Sequence, residues 1–427
     1  MKHVNGVAER NKQIITALLQ RFGSLSREQI YGLTHIRRGT ISKLVRELIE
    51  EEVLLEDGLL DTPMGRKQAL LRLNEESRFA VGIEFDDESV TVALTDLHPR
   101  VRKVVTQPTN HRDGQSGLIA QLKDCVQECL RETGIGRESL IGIGIADPGL
   151  VDSRKGVTVM STTIDFWRDV PLKQIFEEAF LVPAFVELKT RAKTVAERLL
   201  GAGERADNLI YVDYGAGIGA GIVLDGKLLL GRNCAAGEFG HTLLADHGPI
   251  CKCGSYGCLE ALAGLRAVET KVRKAWAAAG IEAGIFEQEA GIRNGWDMFR
   301  AAANGDKICA SAADEVATCL GLGVANLINL FNPSVVVLDQ RLQLAGPGML
   351  EQIVRVAKRQ ALVASTRDVV FRFSQLGREA GILGAALICL EHYFQISLLK
   401  PPRFLVDPDC ELPPLPETAG FLAALAE

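Results

Sequence analysis

The sequence lacks any apolar run that approaches the roughly 20 residues needed to span a bilayer, and its first residues, MKHVNGVAERNKQ, lack the apolar core of a signal peptide. We therefore expect a cytoplasmic protein with no membrane partner. A cysteine pattern typical of disulfide-rich secreted domains is also lacking, because seven of the ten cysteines are scattered along the chain. We expect most of these seven to be reduced and buried.

The composition is that of a globular protein. Apolar residues make up 47% of the 427 residues and the mean hydropathy is +0.10, which is enough to fill the cores of two or three domains. The net charge of −6 is unevenly distributed, since residues 1–74 carry 12 Lys and Arg against 9 Asp and Glu. The basic N-terminal end is therefore the candidate for contact with nucleic acid.

Three helical patterns at the N-terminus predict a helix-turn-helix. RNKQIITALLQRFG (10–23) has one apolar face and ends at a glycine, and SREQIYGLT (26–34) begins with a capping-box pattern. The third pattern, RRGTISKLVRELIEEEVLL (37–55), has the form of a recognition helix, which reads the major groove from its N-terminal end. The residues predicted to face DNA are Arg37, Arg38, Thr40, Ser42 and Lys43.

A β-wing is predicted to follow the recognition helix. VLLEDGLLDTPMGRKQALLRLN (53–74) alternates like two strands around Gly58 and Gly65. Arg66 and Lys67 would lie at its tip, within reach of phosphates or the minor groove. The alternative is a small helical bundle whose basic face is simply solvated.

Beyond residue 75 the pattern changes to apolar strands, glycine turns and helices, which predicts an α/β domain. RFAVGIEFDDESVTVALTDL (78–97) indicates two strands about a tight turn. A second hairpin is interrupted by Gly215, Gly217 and Gly219, and a long helix should end at Asn332 and Pro333 before a buried strand. The predicted domains are residues 1–75, residues 76–395 and a proline-rich tail over 396–427.

Histidines and cysteines cluster in GEFGHTLLADHGPICKCGSYGCLEAL (237–262). Cys251, Cys253 and Cys258 crowd into eight residues, with His241 and His247 just upstream. Four such ligands could close a tetrahedral zinc site. Reduced cysteines packed into a glycine-rich loop are the alternative.

The motifs GEFGH and CKCGSYGCLE, in order after GAGIGAGIVLDGKLLLG, resemble the ROK family (repressors, open reading frames and sugar kinases) over nearly all of residues 8–395. The N-terminal segment is similar to the winged helix that the family's repressors carry and its kinases lack. The resemblance implies an actin-like fold of two α/β lobes around a cleft, preceded by a winged helix-turn-helix. It also implies a homo-oligomer, either a dimer or a tetramer.

The resemblance implies that His241, Cys251, Cys253 and Cys258 bind one Zn²⁺. One nitrogen and three thiolates form a closed tetrahedral set without an open position for water, so the metal should be structural. His247 competes with His241 by proximity alone. The family's sugar-binding residues match Glu238, His241 and Glu260, and carboxylates suit that role because they accept hydrogen bonds from several hydroxyls.

Three positions depart from the family's kinases. Where the family has Glu-Asn-Asp-Ala-Asn, this chain reads Glu187-Leu188-Lys189-Thr190-Arg191, and a protonated lysine cannot replace the aspartate that acts as general base. Asp86 and Asp87 stand where glycines let phosphate approach. Asp339 and Gln340 replace glycines on the adenosine side, so of the phosphate-type turns only the one at Gly215, Gly217 and Gly219 survives.

These features predict a DNA-binding transcriptional regulator, more specifically a repressor of carbohydrate genes. Its kinase-like domain would have no catalytic residue and would serve as a sensor for a sugar or sugar derivative. The partners would be a double-stranded DNA operator, the effector and a second copy of the chain. An active or bifunctional sugar kinase is the alternative, and a protein-interaction scaffold is a third interpretation.

Lys189 suggests a property of the effector. Together with Arg191 it follows a strand that the family aims into the cleft, so the pocket would gain positive charge where it lost its base. That charge would suit an acidic or phosphorylated sugar. The alternative is that both side chains face solvent or pair with acidic neighbours such as Glu187 or Glu197.

Overall fold

A computed structural model describes residues 2–60, 67–203, 205–280 and 292–394. Within them lie a small N-terminal unit and two larger α/β lobes, each built on a five-stranded sheet. The predicted α/β class with two lobes is thereby confirmed. The proline-rich segment 396–427 lies outside the described residues.

The N-terminal unit has three helices and a small antiparallel sheet in the order expected for a winged helix. A serine cap starts its second helix as the sequence predicts: the Ser26 hydroxyl accepts from the Gln29 amide at 3.2 Å, and the Gln29 side chain accepts from the Ser26 amide at 2.8 Å. The apolar faces of its helices pack on a three-stranded sheet. The elements are α1 (Lys2–Phe22), β1 (Leu25–Ser26), α2 (Arg27–Thr34), α3 (Arg38–Glu50), β2 (Leu54–Leu60) and β3 (Gln68–Leu73).

The predicted wing is present as the antiparallel pair of β2 and β3. Gly58 does not form the turn, because it lies within β2 at a register shift between Glu56 and Leu59. Residues 61–66, which include Arg66, lie outside the described residues. Lys67 is exposed directly before β3.

The strands of the first sheet lie in the order β11-β7-β4-β5-β6. Strands β4, β5 and β6 form an antiparallel meander, β7 is parallel to β4, and β11 is parallel to β7. The hairpin predicted over residues 78–97 is confirmed by β4 and β5. The elements of this lobe are β4 (Phe79–Phe85), β5 (Ser89–Asp96), β6 (Val101–Pro108), α4 (Gly114–Thr133), β7 (Leu140–Asp147), β8 (Leu150–Asp152), β9 (Val157–Met160), β10 (Arg168–Val170), α5 (Leu172–Phe180), β11 (Ala184–Leu188) and α6 (Lys189–Leu200).

The second lobe repeats the same strand order, β14-β13-β12-β15-β16, although the sequence shows no visible repeat. The elements of this lobe, with the closing helix of the described chain, are β12 (Leu209–Tyr214), β13 (Ile218–Leu224), β14 (Lys227–Leu228), α7 (Leu259–Ala263), α8 (Leu265–Ala278), α9 (Gly295–Ala303), α10 (Lys307–Phe331), β15 (Val335–Leu338), α11 (Gly348–Gln360), α12 (Val363–Thr366), β16 (Val370–Phe373) and α13 (Ala380–Phe394).

Helix α10 qualifies one expectation from the sequence. It is 25 residues long and, by length and composition alone, apolar enough to cross a membrane. The sequence was expected to contain no segment of this kind. In the structure 56% of its apolar window is buried, in the core of the second lobe. It ends as predicted, at Asn332, whose φ of 43° lies in the left-handed region.

Helix α13 connects the parts of the molecule. It packs on β4, β7 and α6, and its apolar residues join those of the N-terminal unit in one buried cluster. Leu387 and Leu390 of α13 belong to the same cluster as Leu18 and Leu48 of the winged helix. The N-terminal unit is therefore seated on the helix that also covers the first sheet.

Candidate functional site

A cleft lies between the two lobes. Its walls come from the β4–β5 turn, the start of α6, the glycine turn between β12 and β13, and the loop 237–262. Because each segment follows or precedes a strand of one of the two sheets, the cleft lies at the strand ends of both lobes, where α/β proteins bind small molecules.

The four predicted metal ligands meet beside this cleft. The ligating atoms of His241, Cys251, Cys253 and Cys258 all lie within 4.8 Å of one another. The Cys251 Sγ lies 3.5 Å from the His241 Nδ1, and the Cys253 Sγ lies 3.8 Å from the Cys258 Sγ. This cluster can bind a metal ion.

The spacing of the cluster fits zinc. A tetrahedral ion with Zn–S bonds of about 2.3 Å and a Zn–N bond of about 2.1 Å separates two sulfurs by about 3.8 Å, and a sulfur from a nitrogen by about 3.6 Å. His247, the competing ligand, is exposed and lies outside the cluster. Three thiolates and one imidazole are soft donors, which favour zinc over magnesium or calcium.

Short backbone contacts fold the loop around the cluster. Leu243 bridges to Cys258 and Ile250 bridges to Tyr256 in antiparallel pairs. Gly257 has a φ of +64°, and a Cβ there would lie 1.8 Å from the carbonyl oxygen of Ala245. The glycine is therefore required for the tight return that brings Cys258 back to His241.

The two carboxylates predicted to hold a sugar both line the cleft. The Glu260 carboxylate accepts from the Ile218 amide at 3.1 Å, which fixes it against the glycine turn. The Glu238 carboxylate lies 4.0 Å from the Nε2 of His241, and burial raises the pKa of Glu238. His241 therefore faces the cysteines with Nδ1 and the cleft with Nε2.

Lys189 lines the cleft as expected, but its ammonium is already paired. It lies 3.3 Å from the carboxylate of Asp86. Burial would raise the pKa of Asp86, but Lys189 and the backbone amide of Ser89 lower it below its usual value. The positive charge of Lys189 is thus balanced by Asp86, which lies in the turn that was predicted to oppose phosphate.

The expectation that Arg191 also faces the cleft is wrong. Its side chain is fully buried; the guanidinium donates to Glu187 at 2.6 Å, to the carbonyl oxygen of Cys234 at 2.8 Å and to the Ser153 hydroxyl at 3.3 Å. The pairing with Glu187 that the sequence left open as an alternative is the one observed. Glu187 is the next-to-last residue of β11 and Arg191 is the third residue of α6, so the ion pair spans the junction of strand and helix.

Sequence reasoning missed two further cations at the cleft. Arg341 lies 3.2 Å from Asp339, donates to the carbonyl oxygen of Tyr214 at 3.0 Å and stacks over Trp296 at 4.4 Å. Lys193 is buried between carboxylates of both lobes. The sequence indicated Asp339 only as a replacement for a glycine. In the structure it binds the guanidinium of Arg341, which lies beside the turn at Gly215.

Helix α3, which the sequence predicts to be a recognition helix, presents polar side chains to solvent. Arg37, Arg38, Ser42 and Lys43 are exposed, and Thr40 is half-buried. Arg38 pairs with Glu28 and stacks 3.8 Å over the Tyr31 ring, so part of its side chain is held against α2. No side-chain cap closes the start of α3, which leaves its first amides available to a phosphate.

Comparisons with known proteins agree with this architecture. The sequence profile of the ROK family matches residues 80–392. The chain is 28% identical to the xylose repressor of Caldicellulosiruptor bescii over 381 residues, covering 88% of this chain and 94% of the repressor. A solved ROK family transcriptional regulator, a homologue of the E. coli MLC protein, superposes with a TM-score of 0.77 at 28% identity, covering 91% of this chain and 97% of that one.

A kinase of the same family covers less of the chain. The ROK family glucokinase from Streptomyces griseus, solved with glucose and AMPPNP, has a TM-score of 0.64 at 27% identity and covers 73% of this chain and 98% of its own. The match to the regulator therefore extends over a larger part of this chain than the match to the kinase.

Proposed function

Because the chain belongs to the ROK family, we propose that it is a sugar-responsive transcriptional repressor that binds DNA through its winged helix. The observation that carries this proposal is that a winged helix precedes the family domain. The matches to the xylose repressor and to the ROK regulator cover most of this chain. The cleft between the lobes would bind the effector, a sugar or sugar derivative, against Glu238, His241 and Glu260.

The kinase-like domain is proposed to be inactive. Lys189 stands at the position of the general base and is paired with Asp86, so no carboxylate is present at that position to accept a proton from a sugar hydroxyl. Asp86, Asp87 and Glu88 line the cleft and oppose an approaching phosphate. Titration with ATP should show no binding, whereas saturable ATP binding would favour the alternative of an active kinase.

The metal is proposed to be one structural zinc per chain. His241, Cys251, Cys253 and Cys258 would hold it, and it would fix the loop that carries Glu238 and Glu260. Zinc would supply folding free energy to this loop and no reactive water, since the four protein ligands fill a tetrahedral shell.

DNA binding is proposed to require a dimer, with each copy placing α3 in the major groove. Arg37, Thr40, Ser42 and Lys43 would contact the half-site, and two half-sites related by a two-fold axis would be separated by about 10 base pairs or a multiple. Arg66 and Lys67 would add contacts from the wing.

Replacing both Arg37 and Lys43 with alanine is expected to weaken operator binding at least about tenfold and to reduce the slope of log affinity against log salt by roughly 1–2, because both side chains are exposed cations at the start of α3. The operator would first be selected from random duplexes with the full-length protein, and affinities measured by gel shift at several salt concentrations.

Lys358→Ala provides the control for this experiment, since Lys358 is an equally exposed lysine on α11. Its affinity and salt slope should match those of the unmodified protein. Deletion of residues 1–75 should abolish binding. Full operator affinity in the deleted protein would contradict the assignment of DNA binding to the winged helix.

Replacing Lys189 with alanine tests whether the effector carries an anion. If an acidic or phosphorylated sugar displaces Asp86 from Lys189, it should bind more tightly than its neutral parent, and the variant should lose that preference. Binding is measured by calorimetry with matched sugar, sugar acid and sugar phosphate. Equal affinity for all three in both proteins would assign ligand recognition to Glu238 and Glu260 alone.

A further inference from the structure

A single lysine connects the two lobes at the base of the cleft. Lys193 lies in α6, is 4% exposed, and its ammonium is 3.5 Å from the carboxylate of Glu84 and 3.0 Å from that of Asp213. Glu84 is the next-to-last residue of β4 in the first sheet, and Asp213 is the next-to-last residue of β12 in the second. Two acidic side chains from different lobes therefore converge on one internal cation.

The helix that carries this lysine is held closely on both sides. A Cβ at Gly219 would lie 2.8 Å from the Thr190 hydroxyl, and one at Gly384 would lie 1.9 Å from the carbonyl oxygen of Ala192. The Thr190 hydroxyl also donates to Asp213 at 3.1 Å. Helix α6 is thus fixed between β13 and α13, and the Lys193 ammonium has little freedom to leave its position.

Charge balance in this region depends on Lys193. Lys189 is paired with Asp86 and Arg341 with Asp339; both also lower the pKa of Asp213, but less than Lys193, which lies 3.0 Å from it. Burial would lower the pKa of Lys193, but the carboxylates raise it above its usual value; likewise Lys193 lowers the pKa of Asp213 despite burial. Removal of the lysine would therefore leave the carboxylates of Glu84 and Asp213 near one another without the cation that lies between them.

We propose that Lys193 is a positioning residue that takes the place of a divalent cation between the lobes, holding Glu84 and Asp213 together with an ammonium that belongs to the chain. Two converging carboxylates are otherwise a common oxygen-ligand set for Mg²⁺, which retains water at its other positions. With the ammonium in that place, this contact between the lobes requires no divalent cation.

The test is to remove the ammonium and offer magnesium instead. Lys193→Met is expected to melt below the unmodified protein in magnesium-free buffer and to regain roughly 3–6 °C at 10 mM Mg²⁺, whereas the unmodified protein should shift by less than about 1 °C. Sodium chloride of equal ionic strength should not reproduce the gain. Magnesium suits the experiment because the thiolate cluster of the metal loop has little affinity for it.

Two variants make the result specific. Lys193→Met combined with Asp213→Asn should lose the magnesium response, because one of the two carboxylates is gone. Lys271→Met removes a lysine that lies 2.6 Å from Glu315 on the surface, and it should show no magnesium response. A magnesium gain of the same size in that control would overturn the proposal, since the effect would then be general.

If Lys193→Met does not fold, Lys193→Gln replaces it, because glutamine is neutral and can still donate to a carboxylate. A variant whose melting temperature is unchanged by magnesium, or one that stays unfolded at every magnesium concentration up to 10 mM, contradicts the proposal. The measurement concerns melting alone, so its result is independent of whether the protein represses transcription.

Discussion

Replacing Cys253 with serine is expected to reduce the zinc content from one ion per chain to almost none and to lower the free energy of unfolding by at least about 3 kcal/mol. Cys253 is exposed, so the substitution itself removes almost no packing. A loss of this size would therefore come from the metal. Because the same loop carries Glu238 and Glu260, effector binding should be lost together with the zinc.

Zinc content is measured by elemental analysis of protein purified without chelator, and stability by denaturant unfolding. Cys319→Ser is the matched control, since it makes the same chemical change on helix α10, away from the cluster. It should retain its zinc. Absence of zinc from the unmodified protein, or retention of zinc in Cys253→Ser, would contradict the proposed ligand set.

Replacing Arg191 with leucine should destabilise the protein by about 3–5 kcal/mol, because a buried carboxylate would lose its only guanidinium partner among the described residues. The change would also leave the carbonyl oxygen of Cys234 without its 2.8 Å donor. The loss is measured as a shift of the urea unfolding midpoint, with the slope checked for constancy.

Arg300→Leu is the control for this experiment. Arg300 also pairs with an acidic residue nearby in the sequence, Asp297 at 2.7 Å, but its side chain is 53% exposed. Exposed pairs of this kind contribute less than about 1 kcal/mol. Similar losses in both variants would show that burial does not determine the strength of the Arg191 contact.

Local signals made much of the fold predictable. The capping box at Ser26, the hairpin of β4 and β5, and the end of α10 at Asn332 each depend on a few consecutive residues, and the structure contains all three. The metal cluster could also be predicted from the sequence, since its four ligands lie within eighteen positions of one another and a glycine-rich turn brings them together.

The charge network in the cleft was not predictable in the same way. Lys189 and Asp86 are 103 positions apart, and Arg341 reaches a carbonyl oxygen 127 positions away, so sequence spacing indicates neither contact. The pairing of Arg191 with Glu187 was open as an alternative, but their spacing of four positions does not settle it, because Glu187 lies in β11 and Arg191 in α6. What the sequence did not indicate was that strand β11 would lead directly into a helix buried on nearly every side.

Helix α13 also limits how this protein can change during evolution. A Cβ at Gly82 would lie 2.0 Å from the carbonyl oxygen of Ile382, and one at Gly144 would lie 2.0 Å from that of Ala385. These clashes involve backbone atoms, so no change of rotamer relieves them. Substitutions at the cleft or on α3 can alter what the protein recognises. Substitutions of Gly82 or Gly144 would instead separate α13 from the first sheet. Sequence variation should therefore be low at Gly82 and Gly144, although neither lines the cleft.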